Sequence, residues 1–458
     1  MASFPVPTLS FRTFAEMQEN TYSTENILSN LNIEALNDMQ LAAIAANKEH
    51  DNVLLLSATG SGKTLAFLLP VLQLLDASNK QTQALIVVPS RELALQIESV
   101  FKQMGTGFKI SCCYGGHLRE TEENNLIQPP ALIVGTPGRL CDHIRRGNIT
   151  LPSIETLVLD EFDKSLELGF QEEVAFIIES LPALKKRILT SATEAVEVPG
   201  FVNFEEHTKL DFLAEDDGSA KLLDIQTVVS PDKNKSDTLF KLICHIGNRS
   251  AIVFCNHRDD VETTSTQLKD KSIVNVFYHG GMEQQERDSA LCKFRNGSAN
   301  VLVTTDLAAR GLDIPNIRYI IHYHLPPTED IFTHRNGRTA RMDASGTVIL
   351  ILGPGEYLPS YIDKDVAKID LPENPELPER PKWTTLFISA GKKNKINKID
   401  IVGFLSKKGD LKKEDIGLID VKDFSSFVAV RKSKAGYVLQ QVKDEKMKNK
   451  SVKIYIAK

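Results

Sequence analysis

Two short stretches carry the residue types that phosphate chemistry needs. Residues 57–64 read SATGSGKT, between the β-favouring run NVLLL and the apolar, helix-like run LAFLLPVLQLL. Glycines let backbone N–H groups approach phosphates, a lysine adds charge near the terminal phosphates, and a hydroxyl offers a ligand to magnesium. Gly60, Gly62, Lys63 and Thr64 supply these parts, while Ser57 stands where the strict P-loop pattern has its first glycine. Residues 157–165 read LVLDEFDKS, an apolar strand running into adjacent carboxylates. A carboxylate ending a neighbouring strand completes a P-loop by holding the metal, often through water. Asp160 is therefore expected to face Mg2+ together with Thr64, and Glu161 to position or deprotonate an attacking water. An acidic pair alone would equally suit a solvated strand end; the glycine-rich loop makes it a centre. Phe162 is the unusual letter, since neither metal nor water needs bulk there. Its volume is expected to be housed by a neighbour that has shrunk or moved.

At 458 residues the chain suits roughly three domains. Hydrophobic residues at 42% and charged residues at 25% lie in the globular range and exclude wholesale disorder. No stretch approaches the ~18 apolar residues of a membrane span. The six cysteines are scattered without CxxC pairs, so reduced core thiols and a cytoplasmic protein are expected. Residues 51–212 alternate strand-like NVLLL, ALIVV, ALIVG and TLVLD with amphipathic stretches, which predicts a parallel sheet covered by helices on both faces. After the acidic segment at 213–220 the rhythm restarts with SAIVFCN, IVNVFYH, NVLVTTD, YIIHY and GTVILIL, a second α/β lobe over 221–355. A proline-rich linker is expected over 356–382, and residues 383–458 follow the order βαββαβ of a small ferredoxin-like domain. That last region holds 18 lysines and arginines against 8 acids, a net of +10, so a chain of formal charge −6 carries −16 on residues 1–382. A basic domain of this kind is an electrostatic footprint for a polyanion.

The motifs in order, SATGSGKT, PSRELA at 89–94, GG at 115–116, TPGR at 136–139, DEFD at 160–163, SAT at 191–193, HGGMEQQER at 279–287, TTDLAARGLDIP at 304–315 and HRNGRTAR at 334–341, resemble those of DEAD-box RNA helicases over residues 11 to about 355. The resemblance implies an α/β fold of two RecA-like parallel-sheet lobes, residues 1–212 and 221–355, followed by an α+β domain like an RNA-recognition motif. It implies an RNA-dependent ATPase that uses ATP and Mg2+ and locally melts short duplexes. ATP would be held by Ser57, Ala58, Thr59, Gly60, Ser61, Gly62, Lys63 and Thr64 in the first lobe and by Gly311 and Asp313 in the second. Arg338 and Arg341 would act on the γ-phosphate as arginine fingers, with Ala340 replacing the usual glycine between them. LNDMQ at 36–40 replaces the family's Pro-Thr-x-x-Gln; Gln40 would read the adenine edge, and Phe14 either stacks on the base or is an ordinary packing aromatic. Asp163 would tie the strand end to Ser191 and Thr193, linking hydrolysis to lobe movement. Arg91, Gly116, Thr136, Arg139, Gln284, Arg287, Thr305 and Arg310 would lie along the RNA backbone, a grip that positions without reading bases.

The final domain resembles the C-terminal RNA-binding domain of DbpA-type helicases through FISAGKKNKI, DIGLIDVKDFSSFVAV and KNKSVKIYIA. The resemblance implies binding to a hairpin of 23S-type ribosomal RNA and a place in large-subunit assembly, by a protein expected to be monomeric. From the residues themselves, strand alternation places Phe387, Phe427 and Arg431 on the open face, where aromatics could stack bases or serve a small core. Lys392, Lys393 and Lys395 of the GKKNK turn are the better candidates for phosphate contact. The competing readings are a non-catalytic RNA-binding scaffold, a general RNA chaperone and a DNA helicase of the same superfamily.

Overall fold

The computed structural model describes residues 23–58, 60–116, 119–193, 198–213, 223–306, 317–337, 346–362 and 365–457. In the first lobe, α1 (Thr24–Leu31) and α2 (Asp38–Glu49) precede seven strands: β1 (Asn52–Ser57), β2 (Ala84–Val87), β3 (Ile110–Cys113), β4 (Leu132–Gly135), β5 (Thr156–Leu159), β6 (Lys186–Ser191) and β7 (Thr208–Phe212). Between them run α3 (Lys63–Leu74), α4 (Arg91–Gln103), α5 (Arg119–Leu126), α6 (Pro137–Arg145), α7 (Phe162–Glu167) and α8 (Gln171–Glu179). The strands are all parallel, in the order β3-β4-β2-β5-β6-β1-β7. Every residue of β2, β4 and β5 is buried, as it must be when helices cover both faces. One core layer holds Phe67 and Leu68 of α3 with Ile97 and Phe101 of α4; the other holds Leu140 of α6 and Ile177 of α8. Strand β6 lies between β1 and β5, so the loops leaving those two strands open side by side at the carboxyl edge.

The second lobe repeats the plan with β8 (Leu223–Val229), α9 (Ser236–Ile246), β9 (Ala251–Cys255), α10 (Arg258–Asp270), β10 (Asn275–Tyr278), α11 (Gln284–Arg295), β11 (Val301–Thr305), β12 (Tyr319–His322), α12 (Glu329–Asn336) and β13 (Gly346–Leu352). The proline-rich segment is not wholly a linker. Its Ala367–Lys368 forms β14 against β8, and the Ile369 N–H donates to Thr227 O at 2.8 Å. The sheet order β10-β11-β9-β12-β13-β8-β14 mirrors that of the first lobe.

The third domain comprises β15 (Trp383–Ile388), α13 (Lys398–Lys407), β16 (Ile416–Val421), β17 (Ser426–Arg431), α14 (Lys432–Gln441), a small hairpin of β18 (Lys446–Met447) and β19 (Lys450–Ser451), and β20 (Ile454–Ile456). Its antiparallel sheet, β16-β17-β15-β20, packs Leu386, Ile388, Val428 and Val430 against Ile401, Leu405 and Val438 of the helices. The opposite face is not the open platform that alternation alone suggests. Phe387 and Phe427 do point there, but they are 7% and 1% exposed, because α11 of the second lobe covers them through Cys292. Thr385 Oγ1 accepts a hydrogen bond from Asn296 Nδ2 at 2.9 Å and pairs with Ser298 Oγ at 2.9 Å, and Cys292 Sγ donates to Asp420 Oδ2 at 3.3 Å. Arg431 lies over the Trp383 ring, 4.5 Å from its centroid, rather than facing a ligand.

Phe162 is 1% exposed and sits in the core layer with Leu159, Val174, Ile177 and Leu189. Its bulk is therefore structural. Phe162→Ala is expected to cost about 3–5 kcal/mol in denaturant unfolding while ATP turnover stays within a few-fold of the parent; an abolished or strongly raised turnover would contradict this reading.

Candidate functional site

The phosphate loop leaves β1 and enters α3 through Gly60 and Gly62, at φ +93° and +96°, conformations that glycine adopts without strain. A Cβ on Gly62 would also lie 2.6 Å from Gln40 Nε2. Lys63 is buried and donates to Ser57 O at 2.7 Å, while Ser57 Oγ donates to Ser61 Oγ at 2.6 Å and Ser61 Oγ to Ala58 O at 2.8 Å. Ser57 thus gives the loop an internal hydroxyl tie, a physical use for the departure from glycine. From outside, Asn37 Nδ2 donates to Ser61 O at 2.9 Å and Gln40 Nε2 to Gly62 O at 3.2 Å. Gln40 Oε1 accepts the Asn37 N–H at 3.0 Å, closing a capping box on α2. The amide of Gln40 therefore braces the phosphate loop, with one lone pair and one N–H left over for a base edge.

The acidic turn lies across β6. Asp160 N–H donates to Val87 O at 3.0 Å, and Glu161 then adopts a left-handed conformation, φ +49°. Asp160, Glu161 and Asp163 are all buried. Burial pushes the Asp160 carboxyl above its usual range, opposed by a hydrogen bond from Thr190 and by the charge of Lys63. Burial likewise raises Asp163, opposed mainly by neighbouring Lys164. Asp163 Oδ2 accepts from Thr193 Oγ1 at 3.3 Å, whereas the Ser191 hydroxyl turns to Thr193, donating to its carbonyl at 2.8 Å and accepting its N–H at 3.1 Å. Only Thr193 of that expected pair meets the carboxylate. Thr64 and Asp160 are hard oxygen donors, as magnesium prefers, and a cation beside Asp160 would offset the desolvation that burial imposes on it.

Of the residues assigned to RNA, Arg91 in the first lobe and Gln284 and Arg287 in the second meet across the cleft. Gly116, at φ +97°, lets the loop backbone approach Arg91; a Cβ there would be 2.5 Å from Arg91 Nη1. Thr136 caps α6 without a side-chain hydrogen bond of its own to that helix. Arg139 donates through Nε to Glu122 Oε2 at 3.0 Å and to Tyr114 O at 3.2 Å. Glu122, 1% exposed, also accepts the Tyr114 N–H at 2.8 Å and meets His143 Nε2 at 2.6 Å. Across the cleft, Arg91 bonds to Gln284, and Glu92 accepts from Arg287 and from the Tyr278 hydroxyl, the latter at 2.8 Å. Thr305 is buried at the end of β11. Beside it Arg335 is fully buried, donating to both Asp306 oxygens, to Asn256 Oδ1 at 2.9 Å and to His324 O at 2.8 Å. Lys392, Lys393 and Lys395 belong to the third domain, where all three are exposed. Phe14, Thr59, Arg310, Gly311, Asp313, Arg338 and Arg341 lie outside the described residues.

Thr190, Glu92, Tyr278 and Glu122 bond to candidate site residues, and Asp306 pairs with Arg335, contacts that sequence reasoning does not single out. Asp306 and Arg335 lie inside quoted motifs, and their opposite charges are the available signal. Thr190 directly precedes SAT, and a hydroxyl closing the apolar run Ile188–Leu189 is its mark.

A phosphate loop and a buried strand-end carboxylate pair on one parallel sheet, with a second lobe of the same strand order across a cleft, define a two-lobed RecA-like nucleoside triphosphatase. Residues 37–199 match the DEAD/DEAH box helicase family, 234–343 the helicase conserved C-terminal domain, and 385–456 the DbpA RNA binding domain. The chain is 33% identical to the ATP-dependent RNA helicase DbpA of Escherichia coli (strain K12) over 95% of its length and 99% of that protein's. It is 30% identical to the DbpA helicase of Bacillus subtilis (strain 168), over 91% and 93%. Among solved structures, S. cerevisiae Dbp5 bound to RNA and ADP BeF3 covers 73% of this chain and 88% of its own, with a TM-score of 0.64 and 26% identity. Mss116p bound to single-stranded RNA and AMP-PNP covers 74% of each, with a TM-score of 0.65 and 28% identity. The chain belongs to the DEAD-box ATP-dependent RNA helicases and carries a DbpA-type RNA-binding domain.

Removing a buried carboxylate that holds two basic groups leaves them without compensation. Glu122→Ala is expected to lower stability by about 3 kcal/mol and to weaken RNA binding through a misplaced Arg139, read by denaturant unfolding and fluorescence anisotropy. Unchanged stability and affinity would remove Glu122 from this role.

Proposed function

We propose that this helicase couples ATP binding and hydrolysis to local melting of short RNA duplexes in the large-subunit ribosomal RNA of a maturing ribosome, as a cytoplasmic monomer. The observation that carries the catalytic half is that Lys63 and Thr64, after β1, and Asp160 and Glu161, after β5, stand at the ends of the two strands flanking β6, with the charged groups buried and Lys63 near enough to act on Asp160. Magnesium, held by Asp160 and Thr64 partly through water, would neutralise charge on the phosphates. Lys63 leaves Ser57 O for the terminal phosphates, and backbone N–H groups at the start of α3 take the phosphate oxygens. Glu161 orients the attacking water and accepts its proton. Thr193 and Asp163 carry the change at the phosphates to β6. Arg91, Gln284 and Arg287 exchange their present partners for RNA phosphates as the strand enters, with Arg139 held in place for the same strand by Glu122, which makes strand binding and lobe closure one event.

Target choice falls to the third domain. With its aromatic face covered by α11, the loops are what remain for RNA. The GKKNK turn is held rigidly: the Lys392 and Lys393 N–H groups donate to Lys422 O and Asp423 O, both at 2.8 Å, and Lys448 and Lys450 Nζ donate to Lys395 O at 3.1 Å and Asn394 O at 2.7 Å. This is a fixed cluster of lysines suited to phosphates.

Two outcomes are expected. ATP turnover rises on addition of a large-subunit ribosomal RNA fragment, exceeds that with DNA of the same sequence, and is abolished by Glu161→Gln; indifference to RNA or to the substitution would sink the proposal. The triple change of Lys392, Lys393 and Lys395 to Gln reduces the slope of log affinity against log salt by about two to three, at roughly 0.7–0.9 per phosphate contact, and an unchanged slope would place the RNA elsewhere.

A further inference from the structure

The most buried hydroxyl at the catalytic centre belongs to a residue outside every motif quoted above. Thr190, 0% exposed, is the penultimate residue of β6, the strand between the phosphate loop and the acidic turn. Register places Leu189 opposite Leu159, the last residue of β5, so Thr190 stands beside Asp160. On its other side Thr190 is paired with Leu55 of β1, two residues before Ser57. Its Oγ1 donates to Asp160 Oδ1 and accepts the Glu161 N–H at 3.2 Å. That N–H also lies 3.1 Å from Asp160 Oδ1, so three groups share a compact hydrogen-bonded ring.

Two features of the turn need such a tie. Glu161 is a long, unbranched residue held at φ +49° and ψ +50°. L-residues disfavour that conformation, and it persists only when its surroundings impose it. A hydrogen bond to its backbone N–H does so. The Asp160 carboxylate, 4% exposed, has two oxygens that a simple rotation would exchange; the Thr190 proton claims one and thereby turns the other away from β6. A valine of the same shape would fill the space and do neither.

We propose that Thr190 is a positioning residue of the ATPase centre, its single hydroxyl setting both the rotation of Asp160 toward the metal and the left-handed turn that aims Glu161 at the attacking water. This rests on the assignment of Asp160 to magnesium and Glu161 to water made above. It acts through those residues and touches neither ATP nor metal.

The test compares Thr190→Val, which keeps shape, with Thr190→Ser, which keeps the hydroxyl. A fluorescent ADP is titrated in Mg2+ and in EDTA, and RNA-stimulated turnover is followed as Mg2+ is varied. The valine variant is expected to lose about tenfold in ADP affinity in Mg2+ with no change in EDTA, to need about tenfold more Mg2+ for half-maximal turnover, and to remain slower at saturating Mg2+. Serine is expected to restore all three to within about threefold. Parental Mg2+ titrations in the valine variant, or a serine variant as impaired as valine, would overturn the proposal, the second result showing that packing and not the hydroxyl matters. Unaltered ADP binding in EDTA reports that the phosphate loop is folded; should valine fail there, Thr190→Ala takes its place under the same criteria. Absence of RNA-stimulated turnover in the parent would instead defeat the underlying reading, and the ADP titrations would still decide the role of Thr190.

Discussion

The first lobe is organised around a carboxylate taken out of water. Asp160 sits at the end of a buried strand, where desolvation opposes its charge, and the structure offsets that cost with the Thr190 hydroxyl and the Lys63 ammonium. Lys63 is itself buried and is held by a backbone carbonyl of the loop it serves. Such an arrangement stands only if strands β1, β5 and β6 hold their register, because a slip of one residue would turn these groups onto the opposite face. The all-parallel sheet with two apolar layers is what makes that register rigid. Catalytic geometry here is thus inherited from strand packing.

Strand β6 and the residues just after it also hold the acidic turn. Thr190 bonds to Asp160, and a few residues on Thr193 bonds to Asp163, so successive hydroxyls from one chain segment hold two carboxylates of the DEFD turn. Across the cleft, Glu92 gathers Tyr278 and Arg287 while Arg91 bonds Gln284. These pairs satisfy charged groups that would otherwise face one another unpaired. On the RNA path proposed above, a strand would displace these bonds rather than enter an empty groove, and a ligand that exchanges contacts in this way is well suited to shifting lobe position.

Much of this can be read from the chain itself, and the pattern of what cannot has a physical cause. Runs such as ALIVV in the first lobe and AIVFC in the second are apolar throughout, as strands buried on both faces must be, and they locate the two parallel sheets. ISCC, KRILTS and TKLDF, the strands β3, β6 and β7, mix polar residues into short runs and carry no such signature. Motif spacing locates Lys63, Asp160, Glu161 and Thr193, whose chemistry depends on residue type. Thr190, Glu122 and Tyr278, the partners of Asp160, Arg139 and Arg287, are close to them only because sheet and cleft bring them together, with no sequence period to announce them. Strand alternation puts Phe387 and Phe427 on the correct face of the third domain, but whether another domain covers that face is a long-range contact that alternation does not encode. SAT offers Asp163 two hydroxyls that sequence cannot tell apart; the turn after β6 directs one of them back to its own backbone.

The covering of that face has a consequence for geometry. Helix α11 spans 12 residues. At a rise of about 1.5 Å per residue it is about 18 Å long. Its first turn carries Gln284 and Arg287, which meet the first lobe, and its last turns carry Cys292, together with Asn296 just beyond, which hold the third domain. Lys422 of the third domain lies close enough to Asp288, midway along the helix, for the two charges to interact. One rigid helix therefore sets the distance and direction between the cleft and the lysine loops. An RNA held by those loops would present its neighbouring segment to the cleft at a defined offset, whereas the proline-rich connection alone would leave that offset free. Under the proposed function, substrate choice would then arise from a ruler as well as from base contacts: a core gripping the backbone without reading bases would melt what lies a fixed reach from the anchored segment.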